Sequence, residues 1–350
     1  MINPKRVLIV IVIYNGADYL RDCLTSLSKI TYERGRYEFF LVDNGSTDGS
    51  VDYVKNNWGA LKLLENQKNY GFAHANNMGL QYAVDYAFDY VYLLNQDTIV
   101  EPDFLEKAVA VADSDHKIGA VQSKLLLHPD KDKINSIGNE THYLGFGFAG
   151  GYRKPDSEME SKEITYPSGA SVLLRVYSLK KVGFFNPDFF AYHEDSDLGW
   201  RLRLADYKIM LAPESIVYHK YQFSRSIKKF YLMERNRYLI ILQNYKLPTL
   251  ILITPACLLM SVAMFFYSFF SGWWWELLKV YGYFLNPINW IKISKARTKA
   301  QKIREVSDKK ITKRFVGTID FQDVQNPLLK YVANPIFNLY WQIIRKIIFW

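Results

Sequence analysis

Residues 7–16 read VLIVIVIYNG and residues 41–50 read LVDNGSTDGS. Seven apolar residues in a row, most of them β-branched and ended by a polar turn, are too few for a helix and mark a strand buried on both faces. The second stretch repeats the pattern, with its polar residues again after the apolar run. Working outward, short apolar runs alternate with amphipathic ones. Strands are predicted at 39–42, 61–64, 90–94, 118–123, 170–174, 209–211 and 216–218, and helices at 17–28, 50–57, 73–87, 102–112, 197–205 and from Ser226 to about Tyr245. This alternation predicts an α/β fold with a mostly parallel central sheet. Residues 131–151 are rich in Gly and aromatics without a period, and are expected to form loops or a hairpin near an acceptor. Residues 1–6 enter the first strand with no small-residue cleavage site, so that run is taken as a buried strand and not a signal peptide.

The chain has 350 residues, 49% of them hydrophobic, enough for a large core with an appended region. Cys23 and Cys257 stand too far apart in sequence for a disulfide framework or thiolate cage, which points to a reducing compartment. The formal charge of +9 is carried entirely after residue 275, where 14 Lys/Arg face 5 Asp/Glu. Just before it, residues 247–275 carry no charge and end in Trp273, Trp274 and Trp275. Such a run reaches the roughly 20 residues needed to cross a bilayer, and tryptophan prefers the headgroup layer. The expected partner of the basic tail is therefore an anionic membrane surface and not nucleic acid. Both flanks are basic, and Pro255 and Pro287 interrupt the apolar stretches. A hairpin or in-plane helices on the cytoplasmic face are favoured over a single span, which would export a basic flank.

The polar residues follow the strands, where open α/β sheets bind ligands. Tyr14-Asn15-Gly16 stands where a dinucleotide enzyme would carry GxGxxG, which argues against nicotinamide or flavin chemistry. Asp43 at a strand end suits the imide N–H of a pyrimidine, and Tyr14 offers a ring to stack on it. Equally, the stretch from Asp43 to Asp48 suits a tight turn that caps a helix. Asn69-Tyr70-Gly71-Phe72-Ala73 leads into a helix whose N-terminus can attract phosphate, with Asn76-Asn77 as ligand or capping residues. Asn95-Gln96-Asp97 places one carboxylate at the next strand end. Glu194-Asp195-Ser196-Asp197 supplies three acids in four residues, more than a helix cap needs; Asp197 is expected to be the cap. His219 ends a strand.

In their order and spacing these four clusters resemble the inverting family-2 glycosyltransferases with a GT-A fold, over about residues 7–240. The resemblance implies a Rossmann-like catalytic domain at 1–240 and a helical, basic, membrane-associating region at 241–350. It implies that Tyr14 and Asp43, with Asn15 and Asn44 beside them, hold the nucleobase. Gly71, Phe72 and Asn76 would meet the nucleotide sugar. Asn95 and Asp97 occupy the place of an Asp-x-Asp metal motif. Asn95 replaces its first carboxylate, so a divalent cation (Mg²⁺ or Mn²⁺) would rest on Asp97 and on His219, which matches a histidine that completes the site in some members. Asp195, with Glu194 before it, matches the general base. The paired asparagines and the Asn-Gln-Asp triplet resemble the rhamnosyltransferase-like branch, so the resemblance implies transfer of a sugar, first L-rhamnose from dTDP-rhamnose, to a lipid-linked glycan or polysaccharide precursor. The rival expectation is a catalytically silent nucleotide-sugar-binding subunit of a membrane polysaccharide assembly.

Overall fold

A computed structural model describes residues 5–221, 230–320 and 326–350. The described chain divides into two compact units. The first comprises Met1–Asn139, Ala149–Leu202 and Tyr207–Tyr221; the second comprises Glu140–Phe148, Arg203–Asp206 and Gln222–Trp350.

The first unit is built on one large sheet. Its strands are β1 (Val7–Ile13), β2 (Tyr37–Asp43), β3 (Lys62–Glu65), β4 (Tyr90–Asn95), β5 (Thr98–Val100), β6 (Ile118–Leu127), β7 (Ile134–Ser136), β10 (Lys162–Glu163), β11 (Ser171–Arg175) and β12 (Lys208–His219); a separate hairpin joins β8 (Asn139–Thr141) to β9 (Gly147–Ala149). The central path runs β10-β12-β6-β11-β4-β1-β2-β3. Six of its eight strands point one way, while β11 and β10 are reversed. This is the mostly parallel α/β sheet that the sequence predicts. The helices α1 (Ala17–Leu27), α2 (Ser50–Trp58), α3 (Phe72–Asp85), α4 (Phe104–Asp113), α5 (Val176–Val182) and α6 (Glu194–Leu204) connect these strands.

Helices on both faces explain the unbroken apolar run of β1: Val7, Leu8, Ile9, Val10 and Ile11 are all fully buried. Close approach of α3 depends on Gly79, where a Cβ would lie 2.5 Å from Val10 Cγ2. Tyr92, whose hydroxyl lies deep in the sheet, bonds Ser171 Oγ at 2.6 Å and also Ser123, which offsets the cost of burying it.

Three expectations are corrected. The two strands at 209–211 and 216–218 are one, Lys208–His219, with its register shifted between Ala212 and Ile216. Pro213 has no N–H to give the ladder, so pairing breaks there and resumes. The helix expected from residue 197 begins at Glu194, so Glu194 and Asp195 occupy its first turn. Asp197 is accordingly not the cap; it lies inside the helix and pairs with Arg201 at 2.8 Å. The aperiodic stretch 131–151 does hold a hairpin, β8–β9, and carries β7 besides.

The second unit holds α7 (Phe230–Asn244), α8 (Leu247–Phe270), α9 (Trp274–Leu285), α10 (Pro287–Lys302), α11 (Asp308–Thr312) and α12 (Asn334–Ile347). The expected helix start at Ser226 lies outside the described residues. Pro255 sits inside α8 without ending it, whereas Pro287 opens α10. Arg237 is fully buried, bonded to Glu234 at 2.8 Å and to the Leu144 carbonyl at 2.7 Å.

Candidate active site

Parallel strands in register end together, and that is what gathers the polar residues. Ile13 pairs with Asp43 and Val12 with Asn95, so the loops after β1, β2 and β4 leave one rim of the sheet. The Gln96 side chain clasps the Tyr14 backbone from both sides: Tyr14 N–H donates to its Oε1 and its Nε2 donates to Tyr14 O, each at 3.0 Å. Gly16 makes room for this clasp, since a Cβ there would lie 2.1 Å from Gln96 Oε1. The Tyr14 ring itself is 43% exposed. Asn15, at φ 46°, donates its N–H to Ser46 Oγ at 3.0 Å and accepts from Thr47 N–H at 2.9 Å. The first two loops are thereby stitched together.

Asp43 accepts from Gly45 N–H at 3.0 Å and Ser46 N–H at 3.2 Å, and it lines an open cleft of about 410 Å³ with Ser46, Thr47, Asp52, Glu65 and Asn66. It holds its own turn, yet a carboxylate has about four acceptor positions, so capacity remains for a ligand. Asn44 is different. Its amide donates to Asn69 Oδ1 at 3.0 Å and Gly71 O at 3.3 Å, and accepts from Asn66 Nδ2 at 3.2 Å and Tyr70 N–H at 3.1 Å. All four of its valences join protein to protein. Asn76, buried, donates to Phe72 O at 3.0 Å, and Asn77 bonds both backbone groups of Phe185, at 2.8 and 3.0 Å. Gly71, at φ 89°, faces Phe190 O, which would be 2.5 Å from a Cβ. Phe72 reaches the other acids: a Cβ on Gly169 would lie 3.3 Å from its ring and 3.7 Å from Asp195 Cβ.

Asp97 Oδ1 lies 3.3 Å from His219 Nε2, and His219 Nδ1 is 2.9 Å from Asn135 Oδ1. In the tautomer whose Nδ1–H donates to Asn135, Nε2 turns a lone pair toward Asp97, and a nitrogen and a carboxylate oxygen so placed could both ligate a divalent ion. No group of three His, Cys, Asp or Glu with metal-binding proximity occurs among the described residues, so oxygens from a bound diphosphate would have to complete the shell. The Asn95 side chain bonds none of the described residues, while its N–H donates to Ala170 O at 3.0 Å.

That contact leads directly to the acids, because the next residue back, Gly169, donates its N–H to Asp195 Oδ2 at 3.1 Å. Asp195 Oδ1 accepts from Ser196 N–H at 2.7 Å. Asp195 keeps part of its surface open to solvent, but protein hems its carboxylate, and this desolvation pushes its pKa up to about 6 against the pull of those N–H groups. Glu194 is buried and its Oε2 has no hydrogen-bond partner; burial first, and the neighbouring Asp195 second, hold it well above the usual carboxylate range. The backbone leading in is unusual, with Phe190, Tyr192 and His193 all at φ between 63° and 68°. Non-glycine residues in that region cost energy and cluster at functional sites. The Asp197–Arg201 pair helps to brace the segment, since Arg201 also donates to Val182 O at 2.7 Å and Phe184 O at 2.8 Å.

Residues 8–183, half of the chain, match the model of Glycosyl transferase family 2. The chain belongs to this family. Poly-beta-1,6-N-acetyl-D-glucosamine synthase of Staphylococcus aureus (strain MSSA476) is 27% identical over 208 residues, covering 57% of this chain and 46% of the synthase. The chain thus spans less than half the length of that relative. N-acetylglucosaminyl-diphospho-decaprenol L-rhamnosyltransferase of Mycobacterium tuberculosis is 27% identical over 232 residues, 60% of this chain and 75% of that enzyme. Among solved structures, GalNAc-T7 with UDP, GalNAc and Mn²⁺ aligns with a TM-score of 0.57 at 17% identity, over 71% of this chain and 49% of that one. The mannosyltransferase PcManGT from Pyrobaculum calidifontis, in complex with GDP-Man and Mn²⁺, aligns at 0.51 and 17%, over 99% and 85%. At such identity these likenesses establish the GT-A fold alone.

For a family-2 chain, three side chains or backbone groups of this site escaped sequence reasoning. Gln96 lies inside the Asn-Gln-Asp triplet, whose metal-motif reading falls on Asn95 and Asp97. Asn135 lies in the stretch without period, and no sequence signal marks it. Gly169 acts through its N–H, which every residue but proline has.

Proposed function

We propose that this chain is an inverting glycosyltransferase that moves a sugar from a nucleoside diphosphate to a hydroxyl of a lipid-linked glycan or polysaccharide precursor. The observation that carries the reading is the Asp195 carboxylate, pushed up to about 6 and aimed by the Gly169 N–H beside the strand end that bears Asn95. An alcohol is a poor nucleophile until a base takes its proton, and a base poised near neutrality does this best. In the proposed transfer, Asp195 accepts the acceptor's hydroxyl proton while that oxygen attacks the anomeric carbon. The bond to the diphosphate breaks on the opposite face, and the nucleoside diphosphate leaves with the configuration inverted. Tyr14 and Asp43 hold the nucleobase. Gly71 and Phe72 line the sugar side, and Asn44 and Asn76 keep their loops in place. Asp97 and His219 would hold a divalent cation, whose charge would stabilise the departing diphosphate.

L-Rhamnose from dTDP-rhamnose is the proposed donor, on the strength of the neutral Asn95 and the name of the mycobacterial relative. A mass-spectrometric screen of dTDP-rhamnose against UDP-N-acetylglucosamine, with lipid-linked acceptors, tests it. A product bearing another sugar removes rhamnose, and retained anomeric configuration by NMR removes the inverting mechanism. Asn95 also favours a second reading, a silent nucleotide-sugar-binding subunit; absence of turnover with every donor, alongside intact nucleotide binding, would establish it. Membrane association at the cytoplasmic face is part of the proposal, supported by α8, with a mean hydropathy of 2.2 and only 22% of its apolar window buried, and by basic residues on both flanks.

A further inference from the structure

Helix α12 is apolar on two faces. Phe337, Trp341 and Ile344 point into the second unit, where Trp341 stacks on Tyr143 at 4.7 Å. On the outside, Ile336, Leu339, Ile343 and Ile347 recur at helical spacing, and each is at least half exposed. A surface helix of a water-soluble unit turns polar residues outward, so this stripe has a missing partner. α12 also touches α8, with Tyr340 Oη donating to Leu252 O at 2.6 Å; beyond its end, Trp350 Nε1 donates to Thr249 Oγ1 at 2.8 Å. α8 is itself buried along Thr249, Ile253, Ala256, Met260 and Ser268, and exposes Ile251, Leu258, Val262, Phe266 and Phe269.

We propose that α12 is a second lipid-inserting helix, which lies with α8 in the plane of an anionic bilayer surface, its outer stripe in the acyl boundary and Lys330 and Lys346 at the headgroups. The inference rests on the membrane association proposed above. The charge selects the occupant. Those two exposed cations have no acid among residues 328–350 to offset them, which suits anionic lipid, whereas a second copy would bring like charges face to face. The packing selects the orientation. α7 runs antiparallel along α8, with Phe230 against Trp273 at 4.1 Å and Tyr238 Oη on Ser261 Oγ at 2.6 Å. A transmembrane α8 would draw Glu234, Arg235 and Arg237, buried along α7, to the depth of the hydrocarbon core, where even paired charges are rare and costly.

The test uses the full-length chain, with Cys257→Ala, bearing an environment-sensitive fluorophore at Ile343→Cys or at Phe266→Cys. With vesicles of phosphatidylglycerol and phosphatidylcholine, both labels should shift to the blue and be quenched by lipids brominated on the acyl chain. Ile336→Ser, Leu339→Ser and Ile343→Ser together should lower vesicle partitioning at least about tenfold through lost apolar burial. Lys330→Gln and Lys346→Gln should each weaken binding to the anionic vesicles about fivefold, an effect that high salt removes. A label at residue 343 that stays in water while the one at 266 is quenched overturns the proposal. So does a lipid-free dimer, seen by sedimentation, that the serine variant dissociates, since the stripe would then be an interface between copies. Sugar transfer measured in detergent separates the two readings: inserted labels without turnover count against the transferase alone, and turnover without insertion counts against α12 alone.

Discussion

At the scale of single residues the site turns on where protons sit. Asp195→Asn should leave nucleotide affinity intact and lower turnover by about 10²-fold or more, because an amide cannot take the hydroxyl proton. Initial rates beside calorimetric titration check this, and near-normal turnover would remove Asp195 as the base. Since burial pushes Asp195 up to about 6, kcat/KM should rise with pH through about 6 and flatten above it. The same burial is a liability to the fold. A carboxyl whose folded pKa is raised above its unfolded value, about 4.3 for Glu, loses stability as pH climbs from that value toward the folded one. Glu194→Gln should therefore melt higher than the parent at pH 7 and converge with it at pH 4, which a pair of thermal melts would show. Asp43 has two duties that substitution can divide. Asp43→Asn keeps an acceptor for the Gly45 and Ser46 N–H groups but should weaken nucleoside diphosphate binding by about 1.5–3 kcal/mol. Unchanged affinity in a folded variant would leave Asp43 as a turn residue only.

At the scale of elements, the ends of strands matter more than their middles. β12 delivers His219 to Asp97 because Thr98 in β5 pairs with His219 itself, and β7 delivers Asn135 to the far side of the imidazole. Asn135, bonded to Nδ1, is thus the residue that would leave Nε2 free of its proton toward the carboxylate. Asn135→Leu should lower Mn²⁺ affinity about 10–100-fold in the presence of nucleoside diphosphate, and Asn135→Asp should restore much of it. Metal titration followed by bound-nucleotide calorimetry reads both. Activity of the parent chain that survives exhaustive chelation would instead leave Asp97 and His219 with an ion pair and a positioning role.

At the scale of the whole molecule, the second unit includes more than the C-terminal residues. Glu140–Phe148 and Arg203–Asp206 belong to it, with Tyr143 under Trp341 and Leu144 O bonded to Arg237. A cut before Leu247 therefore strips Trp341 from Tyr143 and should yield an unstable, aggregating chain rather than a clean soluble domain. Salt separates the membrane components more gently. High salt alone should leave the full chain on membranes, because burial of apolar side chains is not screened. Release by salt alone would mean that α8 is not in lipid. Cysteine labelling of positions flanking 247–275 should find both on one side of a sealed vesicle.

The sequence alone carried whatever is local or periodic. The buried run of β1, the polar residues after each strand and the uncharged stretch 247–275 are readable because burial imposes a period on neighbouring residues. The fold class and the neighbourhood of the site followed from that. The sequence could not show contacts that close over long separations. Gln96 meets Tyr14 across 82 positions and Asn135 meets His219 across 84, and neither pairing leaves a trace in local pattern. Nor could it show that Asn44 is spent on its own loops, or that burial holds Glu194 well above the usual carboxylate range. Those depend on which groups surround a side chain and how much water they exclude, and only the folded chain decides that.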